Sequence, residues 1–159
     1  MKIGFIGTGH ITKSVINGIL GSQLKINKII ISRRSNKISA LLKKKSKKII
    51  ISNDNQEIIN KSDWVFLAVT PEVGHKILPK LKFRKKQIII SFISTIKMSD
   101  LKKYVKVNSK IVRAIPLPPI SIRKGPVPIF PSNKKVKQFF DHLGTTVEIN
   151  KENLSLNFW

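Results

Sequence analysis

Apolar residues gather in short runs along the chain, at Ile3–Ile6, Ile29–Ile31, Ile49–Ile51, Val65–Val69 and Ile88–Ile90; between them lie stretches with apolar positions three and four residues apart. The runs read as strands near 2–6, 28–32, 48–51, 63–69, 87–92, 110–115, 126–130 and 145–149. The stretches between them read as helices near 10–20, 36–45, 55–61, 72–81, 99–105 and 133–142. Strands apolar on both faces belong in a sheet covered on both sides. Strands alternating with helices imply βαβ units. The expected fold class is therefore α/β, a doubly wound and mainly parallel sheet with helices on both faces.

Local signals mark the helix ends. Gly21 follows the first helix as a residue able to take positive φ. Asp54 with Glu57 three residues on has capping-box spacing, and Thr70-Pro71 offers a cap oxygen followed by a ring of preset φ. Ser99-Asp100 is expected to open the fifth helix in the same way. Six of the eight prolines fall between Pro116 and Pro131, so this segment is expected to be a stiff extended loop leading to an edge strand.

Length and composition narrow the class. At 159 residues and 41% hydrophobic the chain can build one sizeable core, and none of its apolar runs is long enough to span a bilayer. There is no cysteine, and His10, His75 and His142 are too scattered for zinc-ligand spacing. Met1 is followed at once by a strand, which leaves no room for a signal peptide and points to the cytoplasm. The balance of 31 basic against 8 acidic residues, formally +23, suggests a polyanion partner at first sight. Only 5 of the 31 are Arg, however, and Lys, Ile and Asn fill 64 of 159 positions while Ala fills three. That skew fits A/T-rich codon usage, so most lysines read as solvated helix face and nucleic-acid binding is a disfavoured reading.

The candidate chemistry starts at Gly7-Thr8-Gly9-His10-Ile11-Thr12, directly after the first strand and opening the first helix. The first glycine permits the tight turn, the second lets backbone approach a pyrophosphate, and the helix N-terminus offers unpaired N–H groups. The turn makes the expected fold Rossmann-type. Thr12 stands where Gly or Ala is usual, and is expected to push the helix slightly off the strand. His10 reads as a polar residue that caps the helix or faces solvent, and the sequence offers no support for a proton-donating role. The second strand ends in Ser32-Arg33-Arg34-Ser35, and no acidic residue occurs before Asp54. An NAD site would place a carboxylate on the ribose 2′-OH, whereas hydroxyls and guanidiniums suit a 2′-phosphate, so the expected cofactor is NADP(H).

Taken together, Met1 to Gly9, Ser32-Arg33-Arg34, Asp54-Asn55 with Glu57, Ala68-Val69 with Pro71, and Val112-Arg113-Ala114-Ile115-Pro116 with Pro119 resemble the N-terminal half of pyrroline-5-carboxylate reductases. β-Hydroxyacid dehydrogenases and coenzyme F420-dependent NADP reductases are expected to share the first block only. The resemblance implies an NADP(H)-binding domain over residues 1–149. In it Gly7, Thr8, Gly9, His10, Ile11 and Thr12 hold the pyrophosphate, and Ser32, Arg33 and Arg34 hold the 2′-phosphate. Asn55 lies near the adenosine, Ala68, Val69, Thr70 and Pro71 line the cleft, and the Pro116–Pro119 loop approaches the nicotinamide.

The resemblance further implies hydride transfer to the C=N bond of a small cyclic imine, as in proline biosynthesis. Residues 150–159 would begin a helical domain that makes a homodimer or larger assembly and carries the substrate site. Phe158 and Trp159 are expected either to form an exposed sticky patch or to dock back onto the sheet. Two positions depart from the family pattern, Thr70 where Lys is usual and Leu117 where Asn is usual. No residue is nominated as catalytic, and no metal site is expected. A stand-alone dinucleotide-binding sensor or partner subunit remains the alternative.

Overall fold

The computed structural model describes residues 1–154. Its eight strands are β1 (Lys2–Ile6), β2 (Lys28–Ser32), β3 (Ile49–Ser52), β4 (Trp64–Leu67), β5 (Ile88–Ser91), β6 (Lys110–Ala114), β7 (Pro126–Phe130) and β8 (Thr145–Glu148). Its helices are α1 (His10–Leu20), α2 (Asn36–Lys45), α3 (Asn55–Lys61), α4 (Pro71–Ile77), α5 (Met98–Val105) and α6 (Lys134–Asp141). The strands form one sheet in the order β3-β2-β1-β4-β5-β6-β7-β8. From β3 to β6 every pair is parallel, and β7 meets β6 antiparallel. The order reverses between β1 and β4, and the carboxyl ends of strands at such a point are where open α/β sheets hold ligands.

Two apolar layers cover the sheet. One joins β1, β2 and β4 to Val15 and Ile16 of α1, Leu42 of α2 and Val136, Phe139 and Phe140 of α6. The other joins Ile58 and Ile59 of α3, Leu78 just after α4 and Leu101 of α5 to Val65, Leu67 and Ile89 on the opposite face. This two-sided burial explains the unbroken apolar runs of the central strands.

The prolines required a different solution from the expected edge strand. β7 lies between β6 and β8, and β8 is the edge. Gly125 and Ile129 carbonyls accept from Thr145 and Ile149 of the β8 segment, while the Pro128 carbonyl accepts from Ile115 N–H on the other side. By strand alternation Pro126 and Pro128 turn their missing N–H groups toward β6, and there the pairing covers only Arg113 with Phe130 and Ala114 with Ile129. An interior strand tolerates prolines because the ladder on that side has almost run out.

Other helix-end expectations shift in detail. Gly21 has φ −88°, so positive φ is not its role; a Cβ there would instead meet the Arg123 guanidinium at 2.2 Å. α5 is opened by Lys97 rather than Ser99, without a side-chain cap from Lys97 itself. The expected 72–81 helix is α4 followed by a 3₁₀ turn at Leu78–Lys80. Asp54 caps α3 through Gln56 N–H, but Glu57 does not close a direct box. Ser52 stands between them, accepting from Asp54 N–H at 3.2 Å and donating to Glu57 at 2.5 Å. After β8, residues 151–154 make a single turn in which Leu154 N–H donates to the Lys151 carbonyl. The expectation for Phe158 and Trp159 lies outside the described residues.

Candidate functional site

The glycine turn sits at the carboxyl end of β1, on the point where the sheet order reverses. Gly7 has φ +102°, and a Cβ on it would lie 2.2 Å from the Ala68 carbonyl oxygen at the end of β4. Both the backbone angle and the close approach therefore demand glycine. A Cβ on Gly9 would meet nothing within 4 Å, so the turn is open to the outside at the position where backbone must approach a pyrophosphate. Gly9 is the N-cap of α1 and supplies no side-chain cap, while Lys13 N–H is the first to bond back into the helix. The N–H groups of the first turn face outward with the positive end of the helix dipole.

Buried hydroxyls brace this turn. Ser32 Oγ accepts from Gly7 N–H at 3.0 Å and lies 3.0 Å from Thr8 Oγ1, which donates to the Ser32 carbonyl at 2.5 Å. Ser32 is thus turned inward and its hydroxyl braces the turn, while the residue also lines the cleft that Arg33 and Arg34 border. Thr12 is fully buried and donates to the Gly7 carbonyl at 2.7 Å. Its hydroxyl thereby ties the helix to the turn.

Two clefts flank the turn. One, of about 430 Å³, lies over β2 and β3 and is lined by Gly7, Arg33, Arg34, Asn53, Asn55 and Val69, among others. Arg33 and Arg34 are exposed at its rim. Arg33 Nε donates to Asn53 Oδ1 at 2.6 Å, which orients the guanidinium. The other cleft, of about 660 Å³, lies between the first turns of α1 and the proline loop, with His10, Ile11, Lys13, Phe92, Pro116 and Leu117 in its walls.

Many of the candidate residues from the sequence therefore lie in the two clefts beside the turn. Gly7, Ser32, Arg33, Arg34, Asn55 and Val69 share the first cleft, and His10 and Ile11 face the second together with the proline loop. Ala68 acts through its carbonyl against Gly7. Thr70 is occupied as the cap of α4, accepting from Val73 N–H, and Pro71 begins that helix. Sequence reasoning missed Asn36, Asn53 and Val73 in the first cleft and Lys13, Asn17 and Phe92 in the second. Asn53 and Phe92 each follow a strand's last residue, the one signal that could have nominated them. Among the described residues no three His, Asp or Glu side chains gather as metal ligands, and no helix is long and apolar enough to cross a membrane.

Comparison with known proteins agrees with this geometry. A pyrroline-5-carboxylate reductase 3 from Danio rerio is 30% identical over 128 residues, covering 79% of this chain and 44% of the relative. A 1-pyrroline-5-carboxylate reductase structure from Streptococcus pyogenes superposes with a TM-score of 0.80 at 25% identity, over 96% of this chain and 60% of that one. The fold also matches, with a TM-score of 0.79 at 22% identity, a Plasmodium falciparum pyrroline carboxylate reductase solved with NADP bound; that match covers 97% of this chain and 59% of the other. The chain spans about half the length of the curated relatives it matches. A family profile described as NADP oxidoreductase coenzyme F420-dependent matches residues 2–95. That match runs from β1 past β5, well beyond the first glycine block to which the sequence reading confined the likeness. With more than half of its residues under that profile, the chain belongs to the coenzyme F420-dependent NADP oxidoreductase family.

Proposed function

We propose that residues 1–149 are the NADP(H)-binding domain of an imine reductase of the pyrroline-5-carboxylate reductase type, with residues 150–159 leading into a helical domain that completes the substrate site and makes a dimer. The observation that carries this reading is the pair of clefts on either side of an open glycine turn, one of them rimmed by Arg33 and Arg34. The residues present fit the dinucleotide: backbone clearance at Gly9, outward N–H groups at the start of α1, and two guanidiniums where a 2′-phosphate would lie.

NADPH supplies the hydride that a C=N carbon accepts. This chain's part is to bind, orient and exclude water. The first turn of α1 holds the pyrophosphate through backbone N–H groups, with no acidic residue in that turn to oppose it. Arg33, steadied by Asn53, and Arg34 take the 2′-phosphate through charge-assisted bonds, and Asn55 lies beside the adenosine. Across the turn, Phe92, Pro116 and Leu117 give the second cleft apolar walls that keep water from the reacting end, where a small cyclic imine would sit.

Titrations of NADPH and NADH on the wild type, Arg33→Ala and Arg34→Ala test this reading. NADPH should bind more tightly than NADH, and each substitution should weaken NADPH roughly tenfold or more, the worth of one charge-assisted hydrogen bond, while leaving NADH unchanged. Equal affinity for the two cofactors, indifferent to both substitutions, would refute it.

A further inference from the structure

Arg113, in β6, is the only charged side chain among the buried residues described, at 4% exposure. Its Nη1 pairs with the Glu152 carboxylate at 3.0 Å, its Nη2 donates to the Ser94 carbonyl, and its Nε finds no partner among the described residues. The same Glu152 oxygen also accepts from Met98 N–H, where α5 begins without a cap of its own. One ion pair therefore grips the loop between β5 and α5 in two places, at Ser94 through the arginine and at Met98 through the glutamate. That loop starts at Phe92, which is buried, donates its N–H to the Leu67 carbonyl at 2.8 Å, and lies in the wall of the cleft between α1 and the proline loop.

We infer that Arg113 and Glu152 are a positioning pair that sets the β5–α5 loop against the cofactor, so that the segment following β8 fixes the shape of the nicotinamide-side cleft. The inference rests on the NADP(H) reading above. A buried guanidinium is stable only beside a counter-charge, and Glu152 is the carboxylate that reaches it. Without that carboxylate, Arg113 keeps a single carbonyl partner and the Met98 N–H is left open at the head of α5, so both ties on the loop slacken together. The adenosine-side cleft lies across the sheet over β2 and β3 and shares no residue with the pair. Its ligand contacts stay as they are.

That asymmetry gives the test. NADPH and 2′-phospho-ADP-ribose, which keeps the adenosine, 2′-phosphate and pyrophosphate but lacks nicotinamide, are titrated against the full chain as wild type, Glu152→Ala, Glu152→Gln and Arg33→Ala. The measurements are made at a temperature where circular dichroism shows all four folded. Glu152→Ala should weaken NADPH roughly five- to tenfold, the scale of a lost hydrogen bond, and leave 2′-phospho-ADP-ribose unchanged. Glu152→Gln, which still offers an oxygen to Met98 N–H, should fall between, and it carries the comparison if the alanine variant does not fold. Arg33→Ala should weaken both ligands alike. An unchanged ratio of the two affinities in the Glu152 variants would overturn the positioning role. A wild type that binds neither ligand would overturn the NADP(H) reading on which it stands.

Discussion

Ser32 Oγ, at the end of β2, accepts a hydrogen bond from Gly7 N–H at 3.0 Å, and this contact locks the glycine turn to the neighbouring strand. Ser32→Ala leaves the buried Gly7 N–H without a partner and removes the hydroxyl beside Thr8 Oγ1, which keeps only its bond to the Ser32 carbonyl, so it should cost about 1–3 kcal/mol of stability. NADPH affinity should drop with it, because the turn is no longer held in its open shape. Ser35→Ala is the control: Ser35 only caps α2, accepting from Ile38 N–H at 3.4 Å. It should lower stability by about 0.5–2 kcal/mol with little effect on NADPH. Urea denaturation and a cofactor titration on both variants check the contrast.

Phe66 sits at the centre of the aromatic core. It is fully buried, stacked on Phe5 at 4.6 Å, with Phe92 and Phe139 each at 5.6 Å. Phe66→Ala should cost about 3–5 kcal/mol, transfer and cavity terms together. Against a typical total of about 5–15 kcal/mol that is enough to bring the domain near its limit. The measurement is the urea midpoint, which should fall with an unchanged slope if the loss is in the folded state.

Acid stability should follow Asp141 and Glu57. The Lys137 ammonium, 2.7 Å away, holds the Asp141 carboxyl below its ordinary value of 3.8, with Thr146 assisting. Lys61 and Ser52 act on Glu57 in the same direction from 4.5. A carboxyl depressed in the folded state contributes stability that is complete above its unfolded value and disappears as pH falls through the folded one. Stability from these groups should therefore be flat from about pH 7 to 5 and decline below about pH 4. Asp141→Asn should be modestly less stable than wild type on the flat region, since the pair is exposed, and the gap should close by about pH 2. Denaturant melts at four pH values would show it.

The order of elements and the glycine turn were legible because they rest on local rules: apolar runs for two-sided burial, capping residues, and a turn that only glycine permits at Gly7. Legibility failed where a side chain's partner lies far along the chain. Nothing around Ser32 reveals that its hydroxyl faces Gly7, 25 residues earlier in the chain, so its bracing of the turn was hidden. Nothing around Glu152 shows that it reaches Arg113, 39 residues away. The place of β7 inside the sheet was hidden for a related reason. Proline excludes a strand only where its missing N–H faces a partner, and which side that is depends on register.

Gly7 and Gly9, two residues apart, should respond to the same substitution in opposite ways. At Gly7 an alanine must adopt φ near +102° and drive its Cβ to 2.2 Å from a backbone oxygen that cannot swing aside. Gly7→Ala should therefore damage folding itself, lowering the melting temperature sharply, and lose cofactor binding as a consequence. At Gly9, φ is −103° and the added methyl enters open space, so Gly9→Ala should melt like wild type. That open space is where the pyrophosphate is proposed to lie, and the methyl should hold the phosphates off the N–H groups of α1. NADPH affinity should fall roughly tenfold or more, as for loss of a charge-assisted hydrogen bond. A thermal melt and an NADPH titration on each variant separate the two roles, since a Gly9→Ala protein that binds NADPH like wild type would move the pyrophosphate away from this turn.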